Sequence, residues 1–266
     1  MIFADYSLAK RLELAESQGQ VESGKLIAKL KPELGAAVQK IGDSHAVYVG
    51  KESPISRITA LGMSDAISSA DLDNLEEFYH SRGSDTRIRV CPLADQSLIN
   101  ELNKRHFRIE MFLNAHFREV LSHEQIPESD PAIEFSHLTE ADKELWLKMN
   151  LRGFEYDIEW MYDITLAKLY NPHTYCILAK VEGEPAGISA LSLHEEIAGM
   201  HGTSVLPEFR GRGVQTALIN YRLKLAQSLK CELIIVDTTP GNNSQRNVER
   251  AGFRTAYTRI NMVKPC

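Results

Sequence analysis

The sequence predicts an α/β protein built of two domains, and three observations carry that reading. Its 266 residues exceed one ordinary compact domain and suffice for two of about 130 residues each. Segments with strand-like apolar alternation recur between segments with helical apolar spacing, both before and after one polar stretch. That stretch, SHEQIPESDPAIEF (Ser122–Phe135), gathers polar residues around Pro127 and Pro131 as a linker does. It separates a domain at residues 1–125 from one at 131–266.

In the first half the spacing predicts a helix near Asp5–Ser17, with Leu8, Leu12 and Ala15 on one face. Strands near Ala46–Val49 and Arg57–Leu61 follow, then a helix at Asp71–Arg82, a strand at Thr86–Cys91, a helix at Gln96–Arg105 and a closing hairpin near Arg108–Val120. After the linker, strand Ala132–Phe135 leads to a helix near Glu140 behind the cap-like Thr139, and to an amphipathic segment at Ile158–Leu169. Strands Thr174–Val181, Ala186–Leu193 and Ala198–Val205 precede a long helix at Gly213–Ser228. Strand Glu232–Asp237, helix Ser244–Ala251 and a strand from Phe253 finish the chain.

The two halves suggest an internal repeat. Shifted by 146 residues, Ile88 and Val90 fall on Ile234 and Val236, Phe107-Arg108 on Phe253-Arg254, and Leu72 on Leu218, without a gap.

Composition narrows the class. With 43% hydrophobic and 25% charged residues the chain can bury a core, which excludes disorder and low complexity. Its longest apolar run, Tyr175–Ala179, is far below the roughly 20 residues of a membrane span. No apolar signal segment opens the chain, so neither membrane nor secretion is expected. Cys91, Cys176, Cys231 and Cys266 form no CxxC pair, the usage of reduced thiols in a cytoplasmic protein. His194-Glu195-Glu196 starts like a zinc-helix motif, but position 198 is alanine where the second histidine belongs, so no metal is expected.

The net charge of −6 argues against a nucleic-acid binder, but it is unevenly spread. Residues 131–209 hold 5 Lys and Arg against 13 Asp and Glu, whereas residues 210–266 hold 10 against 3. A basic segment suits a phosphate-bearing ligand, an acidic neighbour suits a cationic one, and solvated faces account for both equally well.

The most informative stretch is Val205-Leu206-Pro207-Glu208-Phe209-Arg210-Gly211-Arg212-Gly213-Val214-Gln215-Thr216. A strand ends, the chain turns, and a glycine-rich loop opens directly onto an amphipathic helix. The first N–H groups of a helix lack internal partners and point out at its positive dipole end, so they can bind phosphate oxygens. Glycines at 211 and 213 allow close backbone approach, and Arg210 and Arg212 add charge. The segment is not a P-loop, which needs Lys-Ser/Thr where Val214-Gln215 stands. It is not a dinucleotide fingerprint either, which needs a third glycine.

These residues resemble the GNAT superfamily of acetyl-CoA-dependent N-acetyltransferases. The pattern V-x-P-x-x-R-G-x-G-[IVL] is met by Val205, Pro207, Arg210, Gly211, Gly213 and Val214; a second, NxxSxxNxxxxGF, is met by Asn243 (slightly displaced), Ser244, Asn247, Gly252 and Phe253. The resemblance covers about the last 135 residues. It implies a mixed, mostly antiparallel sheet flanked by helices, with a second, degenerate GNAT-like or accessory domain in residues 1–125.

The resemblance also implies roles. The coenzyme A diphosphate would lie on backbone N–H groups from Arg210 through Gly211, Arg212, Gly213, Val214 and Gln215 to Thr216. The pantetheine arm would run between splayed strands Ala198–Val205 and Glu232–Asp237. Backbone at Ser204–Val205 would hold the thioester carbonyl, with Asn243 and Asn247 on the cofactor side. Transfer of an acetyl (or other short acyl) group to a primary amine by direct attack in a ternary complex follows, without a metal; the acidic stretch favours a cationic acceptor.

The sequence departs from the pattern at Gln215, bulkier than the usual small residue, and at Val248, where many relatives carry a tyrosine that protonates the departing thiolate. The general acid is thereby left unassigned. Tyr257 is the substitute the sequence offers, or else a packed strand aromatic. Glu195, Glu196 and His201 are the candidates for taking the amine's proton. Two alternatives remain: a non-catalytic coenzyme A-binding module, motivated by Val248, and an acyltransferase acting on protein or peptide N-termini. In the first half Ser64-Asp65-Ala66-Ile67-Ser68-Ser69 replaces the glycine-rich loop, with Asp65, Asp71 and Asp73 where phosphate would sit, so that half is not expected to bind coenzyme A.

Overall fold

The computed structural model describes residues 2–155 and 159–266. In chain order these form α1 (Tyr6–Leu30), β1 (Ala37–Ile41), β2 (Ser44–Tyr48), β3 (Ile58–Thr59), α2 (Ser69–His80), β4 (Thr86–Val90), α3 (Gln96–Lys104) and β5 (Arg108–Glu119). There follow β6 (Ile133–Leu138), α4 (Lys143–Phe154), α5 (Glu159–Tyr170), β7 (Thr174–Val181), β8 (Glu184–His194) and β9 (Ile197–Val205). The chain closes with α6 (Val214–Ser228), β10 (Leu233–Thr238), α7 (Asn243–Arg250) and β11 (Arg254–Lys264).

The chain packs as two compact units, residues Met1–Ala115 with Thr255–Cys266, and residues His116–Arg254. The closing strand, expected with the second domain, belongs to the first unit, where β11 pairs antiparallel with β4 from Ile260↔Val90 to Lys264↔Thr86. Arg108–Glu119 forms one long strand instead of the expected hairpin, and β5 contributes its last residues, from His116, to the second unit.

In the first unit the strands run β1-β2-β3-β4-β11, antiparallel except for β3 beside β4. Ser68 caps α2 in a reciprocal box with Asp71, and Leu72, Leu75, Phe78 and Tyr79 of α2 pack with Leu98 and Leu102 of α3 on Ala46, Ile58, Ile88 and Val90. Helix α1 extends to Leu30, well past the expected Ser17. Its later turns bury Gln20, Val21, Gly24 and Ile27, so a glutamine and a glycine interrupt the apolar stripe. Glu16 pairs with Arg57 and Arg89 at 3.1 and 2.9 Å, and Gln20 accepts from Thr59 Oγ1. Glu13, fully buried, accepts from Tyr257 and Arg259 at 2.9 and 2.7 Å.

In the second unit the strands run β10-β9-β8-β7-β6, antiparallel except for β10 beside β9. Trp146, Met149 and Leu169 of α4 and α5 cover Cys176, Leu178, Ile188 and Ala190. Val214, Ala217 and Leu218 of α6 pack with Ile177 and Ala179, which alternate with Cys176 and Leu178 along β7 and therefore lie on the other face. The helix expected to start at Ile158 begins at Glu159, and Ile158 itself lies outside the described residues.

The 146-residue shift carries more than the identities that suggested it. It lays α2, β4, α3 and β5 on α6, β10, α7 and β11 with ends agreeing to within two residues. In each unit the helix of the first pair sits between two parallel neighbouring strands, β3 and β4 or β9 and β10.

Candidate active site

The site begins where two strands part. β9 and β10 pair through Leu233↔Ile197, Ile234↔Ala198 and Ile235↔Gly199, and there the ladder ends, although β9 continues to Val205 and β10 to Thr238. On its other edge β9 stays paired with β8 as far as Gly187↔Val205. The far half of β9 thus presents to β10 an edge with no ladder bonds to it, the backbone arrangement that can receive an extended ligand.

β9 carries a bulge in this half. Between Ile188↔Ser204 and Ala190↔His201, β8 advances two residues and β9 three, with Gly202 at φ 54° taking up the extra residue. Strand parity flips across a bulge, so Gly199, His201 and Ser204 all face α4 and α5. Gly153 of α4 packs directly on Ser204: a Cβ there would overlap Ser204 Oγ and lie 2.7 Å from its Cβ. Ser204 Oγ is buried and has no hydrogen-bond partner among the described residues.

After Val205 the chain makes one short turn at Pro207–Phe209, and Gly211 and Gly213 each take φ 78°, a left-handed conformation that favours glycine. Gly213 is the N-cap of α6 and supplies no side-chain cap, so the helix's first N–H groups are left for an outside acceptor. A cavity of about 340 Å³ joins this helix start to the free half of β9. Ser204, Val205, Arg210, Gln215 and Asn243, all singled out by sequence, line it; so do Gly153, Phe154 and Thr203, which were not. Gly153 left one signal, a glycine inside a helical pattern, which marks close packing.

The remaining cofactor candidates divide. Asn247 donates to Gln215 Oε1 at 2.8 Å, tying α7 to α6 beside the cavity. Val214 anchors α6 in the core and Thr216 is exposed on its first turn. Arg212 turns to Glu182 at 3.6 Å and over the Phe209 ring, outside the cavity lining. Arg210 does reach the cavity, but its guanidinium is engaged: Nη2 contacts Glu155 Oε2 at 3.0 Å and Gly153 O at 3.3 Å, and Nε contacts Val205 O at 3.3 Å.

The three catalytic candidates are not brought together. His201 folds back over Gly199, at the point where the strands part, with Nε2 2.6 Å from where a Cβ on Gly199 would stand. Glu196 sits in the exposed turn before β9, its carbonyl accepting from Glu232 and Leu233, eight residues of strand or about 26 Å from Ser204. Tyr257 lies in the first unit, 7% exposed, its hydroxyl donating to Glu13 and its ionisation pushed far up by burial. Val248 is buried in the core of the second unit. Burial pushes the Cys176 thiol, on the α5 face, up to about 12, so it is no nucleophile at neutral pH.

In the first unit the loop before α2 is occupied by the protein's own carboxylate. Asp43 accepts from the backbone N–H groups of Gly62, Ser64 and Asp65 at 2.9, 2.6 and 3.1 Å.

Among the described residues no cluster of three or more His, Cys, Asp or Glu is gathered, and no helix is long and apolar enough to cross a membrane.

Comparison with known proteins places these features. Residues 136–253 match the model of the acetyltransferase (GNAT) family. No curated protein sequence matches the chain. A GCN5-related N-acetyltransferase from Kribbella flavida superposes with a TM-score of 0.72 at 16% identity, over 97% of this chain and 96% of that one. A tandem GNAT protein from the clavulanic acid biosynthesis pathway gives 0.59 at 14%, over 86% and 78%. A GCN5-related N-acetyltransferase from Sphaerobacter thermophilus gives 0.55 at 14%, over 68% and 59%. At these identities the likeness is one of architecture: the chain has the GNAT acetyltransferase fold.

Proposed function

We propose that the second unit binds acetyl-coenzyme A and transfers its acetyl group to a primary amine by direct attack in a ternary complex. The observation that carries this reading is the cavity joining the unpaired half of β9 to the uncapped start of α6. The residues present fit a diphosphate thioester: outward N–H groups for the phosphates, two left-handed glycines without Cβ atoms in the way, and a partnerless buried hydroxyl at Ser204 in the cavity wall.

Acetyl-coenzyme A supplies an activated acyl carbon. The backbone N–H groups from Arg210 to Thr216 hold its diphosphate, and the backbone near Ser204–Val205 holds the thioester carbonyl and the oxyanion that grows on it, the usual large contribution to acyl transfer. His201, on the face of β9 toward α4 and α5, takes the proton that the attacking amine must lose. A thiol near pKa ~8.5 leaves as a thiolate at small cost, so the reaction tolerates Val248 in place of a hydroxyl acid. The acidic balance of residues 131–209 favours a cationic acceptor.

The first unit we take to be a degenerate copy, supported by the common 146-residue frame, with its anion loop filled by Asp43. A second reading, a coenzyme A-binding module without turnover, is favoured by the buried Val248. Thiol release from acetyl-coenzyme A with a panel of small amines and peptides, run beside coenzyme A-dependent thermal stabilisation, decides. Stabilisation with turnover supports the enzyme, stabilisation without turnover on any acceptor supports the module, and neither refutes both.

A further inference from the structure

The end of α4 is stitched to the loop that opens α6. Arg210 Nη2 bonds both Gly153 O and the Glu155 carboxylate, and Arg152 Nη2 meets Glu208 Oε1 at 2.6 Å. Glu155 is the left-handed C-cap of α4, at φ 58°, a conformation few residues other than glycine adopt. That backbone turn delivers its carboxylate to a guanidinium that lines the cavity. The position is paradoxical for an anion site, because a carboxylate stands on the one cavity-lining arginine of the loop.

We propose that Glu155 is the group a diphosphate replaces on Arg210, so that cofactor binding exchanges an internal carboxylate for a ligand phosphate. This rests on the coenzyme A reading above. Three observations favour exchange over a permanent clip. The Arg210 and Glu155 side chains are 48% and 62% exposed, so solvent screens their pair and it contributes little. The guanidinium keeps two backbone acceptors, Gly153 O and Val205 O, which hold it at the cavity wall without Glu155. A doubly charged diphosphate makes stronger charge-assisted bonds to a guanidinium than a single screened carboxylate does.

The test is titration calorimetry on the full chain with two probes, coenzyme A and pantetheine, the second lacking the diphosphate. Glu155→Gln is expected to bind coenzyme A about two- to five-fold more tightly than the wild type, the size of an exposed pair removed from competition. Its pantetheine affinity stays at the wild-type value. In an Arg210→Gln background the gain from Glu155→Gln disappears. Unchanged or weaker coenzyme A binding by Glu155→Gln, an equal gain for pantetheine, or a gain that persists without Arg210 would each overturn the exchange while leaving the coenzyme A site standing. A wild-type chain that binds no coenzyme A overturns the site and the exchange together.

Discussion

The imidazole of His201 lies folded over Gly199, with Nε2 2.6 Å from the place a Cβ on Gly199 would take. Gly199 is also the last residue of β9 paired to β10. The absence of a side chain at 199 therefore lets the ring rest where the strands part. If His201 is the base, His201→Gln should lower kcat by about 10²-fold or more, within the range general bases supply. Coenzyme A affinity should hold. Gly199→Ala should reproduce part of the loss by displacing the ring. An unchanged kcat in His201→Gln would remove the residue from the mechanism.

Gly211 and Gly213 both stand at φ 78°. An L side chain there costs about 1–2 kcal/mol at each position, and the loop relieves that strain by turning its N–H groups away. Gly211→Val with Gly213→Val should weaken coenzyme A at least tenfold by calorimetry while lowering Tm only a few degrees. Unchanged affinity would sink the cradle.

Gly153 permits α4 to touch β9 at Ser204. Gly153→Ala should destabilise the second unit by about 1–3 kcal/mol through overpacking, read as a lower denaturation midpoint. Ser204→Gly should restore most of it in the double variant, because the atoms that overlap are removed. Failure of that rescue would place the strain elsewhere.

Tyr257 holds a buried charge in the first unit. Tyr257→Phe is expected to cost about 1–3 kcal/mol of stability, since Glu13 loses one of its two donors, and to leave kcat unaltered. Arg259→Met should cost more, about 3–5 kcal/mol, by stripping the ionic partner from a fully buried carboxylate. A fall in kcat at constant Tm in Tyr257→Phe would return the residue to the mechanism as a proton donor.

Asp43 fills the first unit's loop with three N–H bonds. Calorimetry should accordingly count one coenzyme A per chain. Asp43→Ala should lower stability by about 1–3 kcal/mol, leaving amide groups without their acceptor, with no change in coenzyme A affinity. A stoichiometry of two would contradict the assignment of this unit as cofactor-free.

The sequence alone determined the features whose causes are local. Apolar spacing located the helices α2, α3 and α6 to within two residues at either end, because each buries apolar residues at helical spacing. The cradle was legible because a strand end, two glycines and a helix start are contiguous in the chain, and Val205, Arg210 and Gln215 of that segment line one cavity with Ser204 and Asn243. The later turns of α1 were missed because Gly24 interrupts the apolar spacing of Val21 and Ile27, and Gln20 reads as solvent-exposed until Thr59 and the carbonyls of Ile55 and Arg57 supply its partners. Tertiary structure alone decided that β11 closes the first unit, that Tyr257 meets Glu13 across 244 positions, and that Arg210 meets Glu155 across 55. Such pairings leave no periodic trace, since the energy of a long-range contact depends on which distant group arrives and not on the spacing of neighbours along the chain.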